Sequence, residues 1–191
     1  MNKFVTLALA LLLAGCAAVV KVEGDQTLNN KMALKLPEAW NRLNYPGQPY
    51  EVWTQEGASI DQLRFWAGVP VGKQIVTLPY APAGQKAPRV PTFTGNMTPD
   101  ELVSLFEIMY SADGSQVKVT KIEPGTFAGA NGVRFELLVT AKKTDLQIRG
   151  VGWAAVRNNE LYAATYTAPD LAFFKRLAPK AEAVVKTAAI K

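Results

Sequence analysis

Between Gln116 and Thr167 four strand-forming runs follow one another, the first over Gln116 to Ile122. Val133, Phe135, Leu137 and Val139 line one face of the second run, with Arg134, Glu136 and Thr140 on the other. Lys143-Thr144-Asp145 separates the second from the third run, Leu146 to Arg157, and Asn158-Asn159 separates the third from the fourth, Leu161 to Thr167. A period of two is a strand signal, and connections this short can join only antiparallel neighbours. An antiparallel meander is therefore the frame into which everything else must fit.

Further strand signals precede it. Gln26 to Leu36 alternates around Asn29-Asn30, predicting a hairpin that ends at Pro37. Tyr50 to Thr54 and Ser59 to Ala67 predict a second hairpin, and Gln74 to Thr77 a short strand. Thr98-Pro99-Asp100-Glu101 combines a capping residue, a proline suited to the first helical position and a capping-box glutamate. Leu102, Phe106, Met109 and Tyr110 continue at helical spacing until Asp113-Gly114. A second helix is predicted from Pro169, kinked or restarted at Pro179 and ending near Ala188. Helices packed on a mostly antiparallel sheet make an α+β domain.

The first residues are of another kind. Lys3 is followed by an apolar run from Phe4 to Leu13, too short to span a bilayer, which takes about 20 apolar residues. Leu13-Ala14-Gly15-Cys16 resembles the lipobox of bacterial lipoproteins, and Cys16 is the one cysteine of the 191-residue chain. That resemblance implies cleavage between Gly15 and Cys16 and acylation of Cys16, with the lipid bilayer as partner. Ala17 and Ala18 follow, with no Asp directly after the cysteine, and the family pattern then implies the outer membrane, facing the periplasm. The expected organisation is a signal peptide over 1–15, a lipidated tether over 16–25 and one domain over 26–191.

Composition narrows the chemistry. The chain has no His, which excludes imidazole as base or ligand, and one Cys, which excludes an internal disulfide and Cys-rich zinc sites. No cofactor or metal is expected. Loss of Lys3 with the signal lowers the formal net charge of +5 by one, and no run of like charges forms a basic arm, so nucleic acid is not an expected partner.

The chain carries no recognisable catalytic motif. Ser115-Gln116-Val117-Lys118 has Ser-x-x-Lys spacing but enters a strand, where residues three apart point to opposite faces. Gly125, Gly129 and Gly132 are followed by a strand rather than the helix a dinucleotide loop requires. Asp61, Glu136 and Asp145 are scattered, and a carboxylate hydrolase is retained as an alternative function. Trp66 and Trp153 lie on the more polar faces of their strands and are candidate ligand or interface residues, as are Tyr80 and Arg89 in the proline-rich segment Pro79 to Pro91. An aromatic pocket in a small-ligand carrier is a further alternative.

The order of signals resembles the PsbP-like fold, shared by extrinsic photosystem proteins, a yeast Ran-binding import factor and bacterial DcrB-like envelope lipoproteins. The resemblance rests on Leu36-Pro37-x-x-Trp40, on Gly129-x-x-Gly132-Val133-Arg134-Phe135, and on Leu161-Tyr162 running into Ala168-Pro169 and a helix with Phe173-Phe174. It covers roughly Met32 to Ala188, and Pro79 to Pro91 is not part of it. It is closest in kind to proteobacterial envelope lipoproteins with such a domain. It implies an α/β/α sandwich around a central antiparallel sheet, and a non-enzymatic binding or accessory role toward an envelope protein or small ligand.

Overall fold

The computed structural model describes residues 19–78 and 89–191. Nine strands, β1 Val20–Leu28, β2 Met32–Leu43, β3 Glu51–Thr54, β4 Gln62–Pro70, β5 Gln116–Phe127, β6 Ala130–Thr140, β7 Gln147–Arg157, β8 Glu160–Pro169 and β9 Ala189–Ile190, form one sheet among the described residues. Helix α1 is Pro99–Ser111 and helix α2 is Ala172–Val185. Every strand pairing is antiparallel, in the order β1-β2-β3-β4-β8-β7-β6-β5, with β9 on β2. After β4 the chain passes through α1 to the far edge, and the meander returns strand by strand until β8 lies beside β4.

The alternation in the sequence becomes two cores. Along β8, Tyr162, Ala164, Tyr166 and Ala168 join the cluster that holds Leu177, Ala181 and Val184 of α2. Leu161 and Ala163 join the other cluster, with Leu102, Val103 and Phe106 of α1. β4 splits in the same way, with Leu63, Phe65 and Ala67 in the α2 core and Trp66 and Val69 in the α1 core. One helix therefore covers each face, giving a single α+β domain with the sheet as its middle layer. α1 begins as its sequence predicts: Thr98 N–H donates to Glu101 Oε2 at 2.7 Å, and Glu101 N–H donates to Thr98 Oγ1 at 3.4 Å.

Several boundaries differ from the sequence reading. The region expected to be tether is folded from Val20 onward, because β1 starts there and pairs Val20 with Arg42. Its pattern is faint because Val22 is the one buried residue of Val20–Thr27, on an edge strand. Pro37 does not end β2. It sits where the register slips between Val22–Trp40 and Gly24–Leu36, a bulge at which no ladder hydrogen bond is demanded of it. β5 runs past Ile122 through Pro124 to Phe127, again as an edge strand, and closes its hairpin with Ala128 and Gly129 at φ of 52° and 81°.

Gln74 to Thr77 is not a strand. It makes one bridge, Gln74 to Thr92, while Ile75 N–H donates to the Pro91 carbonyl at 3.0 Å. α2 starts at Ala172 rather than Pro169 and runs unbroken through Pro179. Burial of Leu177, Ala178, Ala181, Val184 and Val185 outweighs the one backbone bond that proline forfeits. The helix ends at Val185, short of Ala188, and the chain closes with β9, where Ile190 pairs with Met32 and donates its N–H to the Ala128 carbonyl at 3.1 Å.

α2 is also tied from outside. Arg176 forms a two-pronged contact with Glu56, and Lys180 Nζ lies 2.7 Å from Glu38 Oε2. The hydrogen bond from Arg176 holds the Glu56 carboxyl below the usual carboxylate range. Such exposed pairs contribute little each, and the buried face of the helix carries most of the attachment.

Candidate functional site

The structure moves both candidate tryptophans indoors. Trp66 is fully buried, its ring centroid 5.1 Å from that of Tyr50 and 5.2 Å from that of Phe106. Its Nε1 donates to the Ile75 carbonyl at 2.7 Å, so the polar edge is satisfied internally. Trp153 is 8% exposed and belongs to the α2 core. Among the described residues neither opens onto a groove, which corrects the expectation drawn from their polar neighbours. The reason is that both faces of the sheet are covered, so strand residues beside Arg64 or Arg134 are still roofed by a helix.

Arg89 is exposed and lines a groove of about 740 Å3 beside α1, together with Thr94, Glu101 and Ile108. Tyr80 lies outside the described residues, as do Gly15 and Cys16. A second groove, of about 480 Å3, runs along Val20, Arg42, Tyr45, Tyr50 and Glu51.

The most developed polar centre is one that sequence reasoning missed. Arg64 projects from β4 between two tyrosines, its guanidinium carbon 5.4 Å from the Tyr110 ring centroid and 5.8 Å from that of Tyr50. Its Nη1 donates to Tyr110 Oη at 2.9 Å, and its Nη2 donates to Gln62 Oε1. Tyr110 Oη in turn lies 2.7 Å from the hydroxyl of buried Thr165. No carboxylate comes within 4.0 Å of Arg64 among the described residues. A guanidinium has five N–H donors, and two are engaged here. The arrangement holds a flat cation between aromatic faces with donors to spare for a carbonyl, carboxylate or phosphate oxygen. Arg64 and Tyr110 are 46 residues apart, so no local pattern could have joined them.

The carboxylates weighed for hydrolysis lie in three different local settings. Buried Asp61 accepts from Thr54 Oγ1 at 2.7 Å, from Glu56 N–H at 2.8 Å and from Gln55 N–H at 2.9 Å, and so shapes the β3–β4 loop. Glu136 pairs with Arg134 at 2.8 Å, and Asp145 sits at φ 54° in the β6–β7 turn. Ser115 Oγ accepts from the Lys142 backbone N–H at 3.2 Å and makes no hydrogen bond to Lys118 among the described residues. No group of three or more His, Cys, Asp or Glu able to hold a metal ion occurs among the described residues.

Burial pushes the Tyr50, Tyr162 and Tyr166 phenols above their ordinary range. In each case the folded pKa exceeds the unfolded value of about 10, so the unfolded chain ionises first. The stability these groups contribute is present below that value and is lost as pH rises from it toward the folded pKa. The urea midpoint should therefore hold steady to roughly pH 9 and drop by roughly pH 11. A midpoint unchanged over that window would mean that the phenols are not held neutral by the fold.

No family model matches the chain, and no curated protein does. Among solved structures it is similar to the solution structure of cyanobacterial PsbP (CyanoP) from Synechocystis sp. PCC 6803. The TM-score is 0.56, with 11% sequence identity, covering 93% of this chain and 95% of that one. Likeness at such low identity is likeness of fold, and the PsbP-like α+β architecture expected from the motifs is the one observed.

Proposed function

We propose that this protein is an envelope lipoprotein, acylated at Cys16, whose PsbP-like domain serves as a non-enzymatic binding or accessory module facing the periplasm, with the outer membrane as its location. The observation that carries the reading is Leu13-Ala14-Gly15-Cys16, with the one cysteine of the chain at the position a lipobox requires. The fold begins at Val20, so the anchor would stand immediately before a complete sheet domain. Stable anchoring takes more than one acyl chain, which lipoprotein modification supplies. No helix of the described residues is long and apolar enough to cross a membrane. The binding role is supported by the fold resemblance and by the donor-rich Arg64 centre.

Fractionation tests the anchor. Wild-type protein should sediment with membranes and partition into detergent, whereas Cys16→Ser should be released almost entirely to the soluble fraction. Equal distribution of the two forms would remove the anchor from this account.

A further inference from the structure

If Cys16 carries lipid, as that reading holds, the domain has little freedom to stand away from the bilayer. Three residue steps separate Cys16 from Val19, a reach of at most about 11 Å when fully extended. A domain of this length has a radius of gyration of about 16 Å. The tether is thus shorter than the body it holds, and the surface around Val19 must be the surface nearest the lipid.

That surface is built for contact. Val19 is 59% exposed, Val20 44% and Tyr45 45%, so each leaves a large share of a mainly apolar side chain in solvent. Val20 pairs with Arg42 in the sheet, and Val20, Arg42 and Tyr45 line the same groove. The nearby cations are already matched, Lys21 by Glu23 at 3.0 Å and Arg42 by Glu51 at 3.8 Å. The patch therefore offers an aromatic–aliphatic contact without net charge. Tyr at a membrane interface places its ring among the headgroups and keeps its hydroxyl wet.

We propose that Val19, Val20 and Tyr45 form a bilayer-contact surface that fixes the orientation of the domain on the membrane, with the phospholipid interface as its occupant. Contact of this kind should be insensitive to salt, because it does not depend on unpaired charge.

Site-specific thiol labelling tests the proposal. Acylation leaves the wild type without a free thiol, so an introduced cysteine is the sole target. Tyr45→Cys and Ile122→Cys suit the comparison, because Ile122 is 40% exposed and lies on β5, the opposite edge strand. Each lipidated variant is reconstituted at low density in phosphatidylcholine vesicles and treated with a bulky maleimide. Each is compared with its soluble Cys16→Ser counterpart. Tyr45→Cys should label about tenfold more slowly on vesicles, and Ile122→Cys at the soluble rate. Equal rates for Tyr45→Cys in the two settings would overturn the proposal. So would protection that disappears on further dilution of protein in the vesicles, which would mark contact between copies. Labelling of the wild type itself would instead show an unmodified Cys16, and would overturn the lipoprotein reading together with this one.

Discussion

Replacing Trp66 with alanine is expected to destabilise the domain by about 4 kcal/mol, near the top of what one substitution does. The indole is fully buried between Tyr50 and Phe106, under α1, and no groove would relieve the void left by its removal. The substitution also takes the hydrogen bond from the Ile75 carbonyl, which the indole satisfies at 2.7 Å. Trp66→Phe separates the two effects: it keeps most of the volume, loses the donor, and should cost roughly 1–2 kcal/mol. Urea denaturation of both variants is the measurement. A loss below about 1 kcal/mol for Trp66→Ala would mean that the side chain lines an open site after all.

The second large effect is expected at Gly152. This residue lies opposite Phe135 in the β6–β7 pairing, and the ring folds over the glycine. A Cβ there would stand 2.1 Å from Phe135 Cζ and 2.6 Å from both Cε atoms. Phe135 cannot swing aside, since it is fully buried and its ring centroid is 5.2 Å from that of Phe106. Gly152→Ala should therefore cost about 3 kcal/mol, an overpacking penalty rather than a cavity. Adding Phe135→Leu to Gly152→Ala should recover part of the loss, with a coupling of about 1 kcal/mol or more between the two sites. Strictly additive losses would contradict the contact. Gly150 repeats the device one pair along, with Leu137 above it.

Those two residues mark where sequence reasoning stops. The strand alternation of β6 was legible because every second residue enters a core, and α1 was legible because its capping box is local. What could not be read was coverage. Gln62 and Arg64 make the Trp66 face of β4 look wet, yet α1, more than thirty residues later, roofs it. The same limit hid the Arg64–Tyr110–Thr165 contacts, which join β4, α1 and β8. Proline misled in the opposite direction. Pro37 reads as a strand end, but a bulge in the pairing excuses the missing amide. Inside α2, Pro179 is tolerated because the turns around it are well buried.

The proposed role divides along the same line. Its anchor is written in a contiguous motif, which no folding is needed to read. Its candidate binding residues depend on long-range assembly, as Arg64 and Tyr110 do, and two of the Arg64 nitrogens already hold partners. Arg64→Gln would remove the cation while leaving the Tyr110 hydroxyl bonded to Thr165, so it would separate a binding role from a structural one.

The anchor is decided most directly by the intact mass of the protein extracted from membranes. The account predicts a chain that begins at Cys16 and carries diacylglycerol on its sulfur, with an amide-linked acyl chain on its amine. A mature chain without lipid, or one beginning at any other residue, would contradict it.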